Sequence, residues 1–250
     1  MLALTPLYTY ANIINTVSGF HIPRCRSYDK KQNSLPLTFL SIMNRKSKTI
    51  AVINYGAGNL GSVANALVKL GYSPVVTSSI AEVLNAHAVF LPGVGAGGDT
   101  MKSLEVSGMA AAVLKLVELQ RPLFAICVGM QVLLSSTEED GEHRCLGIIP
   151  GKVRKLPQGL KVPHMGWNQV RQTVSHPVFG GIPDNTYFYF VHSYYAHPGD
   201  SSAVAGVTEY GIEFCSMLIK DNLFATQFHP EKSGEAGLRM YSNFLKYALS

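Results

Sequence analysis

From Thr49 to Ile126 the sequence alternates short apolar runs with stretches of helical periodicity, joined by loops of only a few residues. Apolar runs at Thr49–Asn54, Pro74–Thr77, Ala88–Leu91 and Leu123–Ile126 read as strands. Between them the pattern predicts helices over Leu60–Leu70, over Ile80–Ala86 and from Asp99, as a cap, to about Leu119. In the first of these, Leu60, Val63, Ala64, Leu67 and Leu70 share one face, and Gly71 stands where a cap is needed. Elements in this order bury their apolar faces as an α/β fold, a mostly parallel, doubly wound sheet with helices on both faces. Sites in such sheets lie beyond the carboxyl ends of strands. That singles out three loops: Tyr55–Asn59, Pro92–Gly98 and the turn at Cys127.

After Cys145 the rhythm changes to short strands with turns, such as Thr186–Tyr195, Ala203–Thr208 and Glu213–Lys220, the last turning at Asp221-Asn222 into Leu223–Phe228. This reads as an antiparallel extension of the sheet, closed by a helix over Glu235–Ala248. No internal repeat is present. The 250 residues suit one domain with a tail, and 47% hydrophobic against 15% charged residues excludes a largely disordered chain.

The net charge of +5 belongs to one end. Residues 1–48 carry seven Lys/Arg against one Asp, a net +6, whereas residues 49–250 carry 14 basic and 15 acidic groups, a net −1. The body therefore offers no basic surface for nucleic acid. Residues 1–48, with three prolines and no sustained period, are expected to be an N-terminal extension, disordered or non-native with Met43 as the true start. An organelle transit peptide is the alternative. Residues 49–250 are then the functional domain. The longest apolar stretch, Pro122–Leu134, is broken by Gly129 and Gln131 and is too short to span a membrane. Cys25, Cys127, Cys145 and Cys215 show no paired spacing, which argues against a zinc site or disulfide framework and points to a cytoplasmic protein.

The most informative stretch is Leu123-Phe-Ala-Ile-Cys127-Val-Gly-Met-Gln131, an apolar strand running directly into a cysteine and then a helix rich in Val132, Leu133 and Leu134. Such a strand–nucleophile–helix turn is strained, and Gly129 lets the chain pass close by. A helix N-terminus favours thiolate over thiol, and the Val128 N–H faces a developing oxyanion. The alternative is a small buried hydrophobe. His229-Pro-Glu231 supplies a base at a strand end, with Glu231 two residues on and able to orient the ring. Pro92-Gly-Val-Gly95 provides backbone N–H groups for a second oxyanion donor. His164 and His192 are expected to organise loops, and His87, His143, His176 and His197 to lie on the surface. Cys145 and Cys215 are read as packing residues. The Gly-rich loops lack the frame of a nucleotide-binding motif, and neither metal ligands nor a cofactor is implied.

Six segments carry a resemblance: Tyr55-Gly-Ala-Gly-Asn-Leu60, Leu91-Pro-Gly-Val-Gly95, Ile126-Cys-Val-Gly-Met-Gln131, Pro163-His-Met-Gly-Trp-Asn168, Tyr189-Phe-Val-His-Ser-Tyr194 and Gln227-Phe-His-Pro-Glu231. Residues 49–250 resemble the class I, triad-type glutamine amidotransferases, and among them the glutaminase subunits of imidazole glycerol phosphate synthases. The resemblance implies Cys127 as nucleophile, His229 as acid/base and Glu231 as its orienter. It implies Val94 and Val128 as oxyanion donors, after a rearrangement of the Gly93–Gly95 loop for Val94. Gly95, Gln131, Ser193 and Tyr194 would hold glutamine. Asn59, Trp167, Tyr189 and Lys232 would face the partner and the ammonia exit. By the same resemblance that partner would be a cyclase (β/α)8 barrel, in a heterodimer serving histidine biosynthesis. Asn54 stands where an acid is frequent, and Ala125 where glycine is frequent. The competing readings are a glutaminase of another synthase, of the pyridoxal phosphate or anthranilate type, a catalytically silent regulatory subunit, or a thiol peptidase on a similar scaffold.

Overall fold

The fold is that of a computed structural model, which describes residues 48–250 apart from Ala57. The expectations for the N-terminal extension therefore lie outside the described residues. In chain order the elements are β1 (Ile50–Ile53), α1 (Leu60–Lys69), β2 (Val75–Thr77), α2 (Ile80–Asn85), β3 (Ala88–Gly93), α3 (Gly97–Val106), α4 (Met109–Glu118), β4 (Leu123–Cys127) and α5 (Val128–Gln131). There follow β5 (Ser136–Thr137), β6 (His143–Arg144), β7 (Gly151–Lys155), β8 (His164–Gln172), β9 (Thr186–His192), β10 (Tyr194–Pro198), β11 (Val204–Glu209), β12 (Glu213–Lys220), β13 (Leu223–Thr226) and α6 (Gly234–Ala248).

The strands run in the order β2-β1-β3-β4-β13-β12-β10-β7-β5-β6, with β11 branching from β12 to carry β8 and β9. The first five are parallel to one another, and from β12 outward antiparallel pairing predominates. This is the expected α/β sheet with its antiparallel extension. β1, β3, β4 and β13 are buried along their whole lengths, which is why their sequences are unbroken apolar runs. Phe90, Phe124 and Phe224 stand on β3, β4 and β13, and α6 packs Tyr241 and Phe244 edge-on against them, with ring centroids 5.1–5.4 Å apart. No helix among the described residues is long and apolar enough to cross a membrane.

Several expectations are corrected. The helix read from Asp99 to Leu119 is two helices, broken where Gly108 adopts φ +73°, a conformation only glycine takes freely. Ala96, not Asp99, is its N-cap, and Asp99 lies in the first turn. Ala66 rather than Ala64 joins Val63 and Leu67 in the buried face of α1. The strand read over Thr186–Tyr195 is interrupted at Ser193 to form β9 and β10. His176 is half-buried, accepts the Val178 N–H, and sits between the rings of Phe224 and Tyr247.

Candidate active site

Cys127 ends β4 with φ +55° and ψ −111°, a backbone conformation costing about 1–3 kcal/mol for a residue with a side chain. The turn is possible because backbone meets backbone there: a Cβ on Gly129 would lie 2.2 Å from the Leu91 carbonyl oxygen, and one on Gly93 would lie 2.2 Å from the Gly129 nitrogen. Gly93 is the direct register partner of Cys127 across β3 and β4, so the Gly93–Gly95 loop starts beside the sulfur. The following helix, α5, is a single turn of four residues, and Val132, Leu133 and Leu134 lie beyond it as buried packing. Its dipole is too short to carry the electrostatic role expected of it. The nearby charge comes instead from a histidine.

His229 follows β13 and opens a 3₁₀ turn over Pro230–Lys232. The expected geometry, two residues on one strand face, is therefore replaced by a tight turn, yet the contact forms. His229 Nδ1 lies 2.8 Å from Glu231 Oε1, with the two side chains 3% and 1% exposed. Glu231 also accepts from the Tyr241 hydroxyl at 3.3 Å and, at the limit of hydrogen bonding, from Asn59 Nδ2 at 3.5 Å. The carboxylate holds Nδ1, and the other ring nitrogen, Nε2, is buried with no hydrogen bond formed, available to the expected nucleophile. Burial alone would lower the His229 pKa. Coupling to the Cys127 sulfur and to Glu231 outweighs it and pushes the imidazole up to about 9, so the ring is held as imidazolium.

The expected residues converge on one cavity of 280 Å³, lined by Val94, Gly95, Cys127, Val128, Gln131, Ser193, Tyr194, His229 and Lys232. Gln131 Nε2 donates to the Tyr194 carbonyl at 2.8 Å, which ties the two elements expected to hold substrate. Three of the residues expected to face a partner meet at the β8–β9 ribbon: Trp167 packs edge-on to Tyr189 at 6.1 Å, and Lys232 Nζ stands 5.9 Å from the Tyr189 ring. The fourth, Asn59, reaches the Glu231 carboxylate. Tyr189 also joins the ribbon to the His229 turn through its backbone. Its carbonyl accepts the His229 N–H at 2.9 Å, and its N–H donates to Ser233 Oγ, which donates to the His229 carbonyl.

Sequence reasoning missed several members of this site. Glu139 lines the cavity and accepts the Gly97 N–H at 2.7 Å, tying down the chain where it leaves the Gly95 loop; burial, opposed by that bond and aided by Asp140 and Asp99, raises its carboxyl. Tyr55 donates its hydroxyl to the Pro92 carbonyl at 2.9 Å, and burial pushes its own pKa up to about 12. The acidic run at Glu138–Asp140 and the position of Tyr55 in a resembling segment were the available signals. Tyr241, a helix residue with no local motif, offered none.

The model of the class-I glutamine amidotransferase family matches residues 51–248. Imidazole glycerol phosphate synthase subunit HisH of Dehalococcoides mccartyi strain CBDB1 is 58% identical over 200 residues, covering 80% of this chain and 98% of that one. The protein of the same name from Chloroflexus aurantiacus is 50% identical over 203 residues, covering 80% and 96%. Among solved structures, a glutamine amidotransferase superimposes with TM-score 0.63 at 20% identity, over 79% of this chain and 98% of that one. PurLQS from Thermotoga maritima gives TM-score 0.64 at 17% identity, over 80% and 98%. At such identities these two speak to the fold alone. On the family match and on the identity to its curated relatives, the chain belongs to the class-I glutamine amidotransferases, among the HisH subunits of imidazole glycerol phosphate synthase.

Proposed function

We propose that residues 49–250 form a glutaminase domain that releases ammonia from glutamine for a synthase partner, with Cys127, His229 and Glu231 as its triad. The observation that carries this reading is the buried His229–Glu231 pair, whose free Nε2 opens onto the same cavity as a cysteine at positive φ. The Cys127 thiolate attacks the side-chain amide carbon of glutamine, forming a C–S bond, and the carbonyl electrons move onto oxygen. The Val128 N–H receives that oxyanion, joined by Val94 once its loop turns. The His229 imidazolium gives its proton to nitrogen, the C–N bond breaks, and ammonia leaves a glutamyl thioester. Neutral His229 then takes a proton from water, hydroxide adds to the thioester, and glutamate departs as the thiolate and imidazolium are restored. Gly95, Gln131, Ser193 and Tyr194 hold the substrate.

Ammonia set free in water is protonated and lost as a nucleophile, so it must pass directly to a second site. The partner is a cyclase (β/α)8 barrel bound as a heterodimer through Asn59, Trp167, Tyr189 and Lys232. It joins the nitrogen to a phosphorylated ribulosyl intermediate, giving imidazole glycerol phosphate and an aminoimidazole carboxamide ribotide. Support comes from the exposed Trp167–Tyr189 face and its backbone tie to His229. The chemistry on this chain needs no cofactor, and a cytoplasmic setting suits it.

The test mixes the purified chain with the cyclase and follows glutamate release with and without the ribulosyl ligand. Glutamate is expected only with the partner present, more of it with ligand, and none from Cys127→Ala. Full release by Cys127→Ala would overturn the nucleophile. Peptide cleavage by the isolated chain would favour the peptidase reading.

A further inference from the structure

Gln227 is fully buried in the chain between β13 and the His229 turn, and the triad mechanism gives it no part. Its backbone is fixed by the N–H bond to the Ser216 carbonyl, at 2.9 Å, on neighbouring β12. Its side chain lies between two residues that the mechanism does use. Gln131 Nε2 is 3.0 Å from Gln227 Oε1, and Gln227 Nε2 is 3.7 Å from Cys127 Sγ.

The orientation of both amides follows from a single backbone group. The Tyr194 carbonyl can only accept, so the end of Gln131 facing it, at 2.8 Å, must be the NH₂. That nitrogen spends its second N–H on Gln227, so the facing end of Gln227 must be its oxygen. The NH₂ of Gln227 is thereby turned to the sulfur. A flipped Gln227 would set two donors against each other and an oxygen lone pair against a thiolate, all inside a buried site where unmatched polar groups are costly. A neutral thiol has its own outlet, since Cys127 Sγ lies 3.9 Å from the Val191 carbonyl and could donate there. A thiolate cannot donate, and its match is the Gln227 N–H.

We propose that Gln227 is a further catalytic residue: its amide N–H, aimed by Gln131 and the Tyr194 carbonyl, donates to the Cys127 sulfur and holds it as the attacking thiolate. This rests on Cys127 being the nucleophile. The contact acts at both ends of the cycle. It steadies the anion before the C–S bond forms, weakens when the sulfur becomes a neutral thioester, and receives the anion again as that bond breaks in hydrolysis. The titratable groups around the sulfur include His229 from the turn after β13 and, through its charge, Tyr55 from the loop after β1, while Glu139, His192 and Lys232 line the same cavity. Gln227 adds a neutral donor to these without competing for the imidazole proton. It also makes the sulfur sense the substrate-holding segment, because a shift of the Tyr194 carbonyl frees Gln131 and with it Gln227.

The test uses iodoacetamide, a small alkylating agent that needs neither glutamine turnover nor the partner, on the full chain at pH 7. Labelling is read by mass spectrometry on the Cys127 peptide, with Cys127→Ala as the blank. Gln227→Met keeps the length and removes the donor; its Cys127 is expected to label about tenfold more slowly, the effect of one lost hydrogen bond to a charged group. Gln131→Met leaves the donor but not its orientation, and is expected to slow labelling by part of that factor. The double variant is expected to match Gln227→Met within about twofold, since the two amides act in series. Unchanged or faster labelling in folded Gln227→Met overturns the proposal, as does a double variant in which the two factors multiply. If thermal melting shows that Gln227→Met does not fold, unchanged labelling in Gln131→Met overturns it equally. Wild-type chain that labels as expected but never hydrolyses glutamine with the cyclase would count against the proposed function and leave the Gln227 contact standing.

Discussion

His164 Nδ1 and His192 Nε2 lie 2.9 Å apart as direct register partners on β8 and β9, both buried. His192 Nδ1 stands 2.9 Å from the Tyr194 carbonyl, which can only accept, so Nδ1 carries the proton and Nε2 accepts from His164. His164 Nε2 in turn faces Asn168 Nδ2 at 3.3 Å. The proton order holds only while both rings are neutral. The pair thus organises the chain at Ser193–Tyr194, as the sequence suggested, by fixing the same carbonyl that aligns Gln131.

Burial pushes the His164 pKa down to about 4, and burial, joined by the charges of His164 and His229, pushes His192 down to about 3. An unfolded histidine takes up its proton near pH 6.5. Between those values the unfolded chain binds more protons than the folded one. The contribution of the pair is therefore complete above pH 6.5 and is lost as the pH falls toward 4 and then 3. Each histidine adds a slope of up to about 1.4 kcal/mol per pH unit. Urea unfolding between pH 7 and 4.5 should show this slope, and His192→Asn, which keeps a donor for the Tyr194 carbonyl, should reduce it. An identical pH dependence in the variant would refute the assignment.

His229 has the opposite sign. Its pKa of about 9 lies above the unfolded value, so its contribution is complete below pH 6.5 and is lost as the pH rises through 9. Glu231→Gln removes the carboxylate that helps to hold the imidazolium. The variant should lose less stability between pH 7 and 9 than the native chain. Its partner-stimulated turnover should fall about 10²-fold, the scale of a misdirected general acid, and the alkaline limb of its pH–rate profile should move to lower pH. A limb that stays in place would show that the carboxylate does not set the state of the ring.

Close backbone packing also fixes the His-Pro-Glu turn. A Cβ on Gly237, one turn into α6, would stand 1.8 Å from the Pro230 carbonyl oxygen, so this helix seats directly on the His-Pro-Glu turn. Gly237→Ala should cost about 1–3 kcal/mol in unfolding, as overpacking does. It should also lower turnover well beyond any loss of folded chain, by displacing His229. Gly71→Ala serves as the comparison: its Cβ meets nothing within 4 Å, though its φ of +84° is strained for alanine, so it should lose stability and keep turnover per folded molecule. Equal turnover in the two folded variants would contradict the seating argument.

The parallel half of the sheet was readable because buried strands leave unbroken apolar runs, and the Cys127 and His229-Pro-Glu231 motifs because their chemistry needs those residues together. β8 was not readable for a physical reason. Its inward positions include His164 and Asn168, whereas Met165 and Trp167 point outward and are 62% and 55% exposed, so its polarity is the reverse of an ordinary surface strand. The break at Gly108 was hidden because the apolar period continues across it. Gln227 stood in a resembling segment, but its contact with the sulfur depends on the packing of β13 beside β4, which no local pattern reports.

That reversed polarity makes Trp167 the natural anchor of the proposed docking face. Its ring packs edge-on to Tyr189, whose backbone carbonyl and N–H are bonded to His229 and Ser233. Trp167→Ala removes surface and leaves these bonds in place, so the isolated chain should unfold within about 0.5 kcal/mol of the native one. Binding to the cyclase should weaken by about 2 kcal/mol or more, roughly 30-fold in Kd, as expected for a buried aromatic anchor. At saturating cyclase, turnover should recover if Trp167 serves docking alone, and stay depressed if its contact with Tyr189 also sets the His229 turn. Because the bonds of the Tyr189 backbone to His229 and Ser233 stay in place, recovery is the expected outcome. Titration calorimetry with saturating glutaminase assays separates the two, and native-like affinity in the variant would remove Trp167 from the interface.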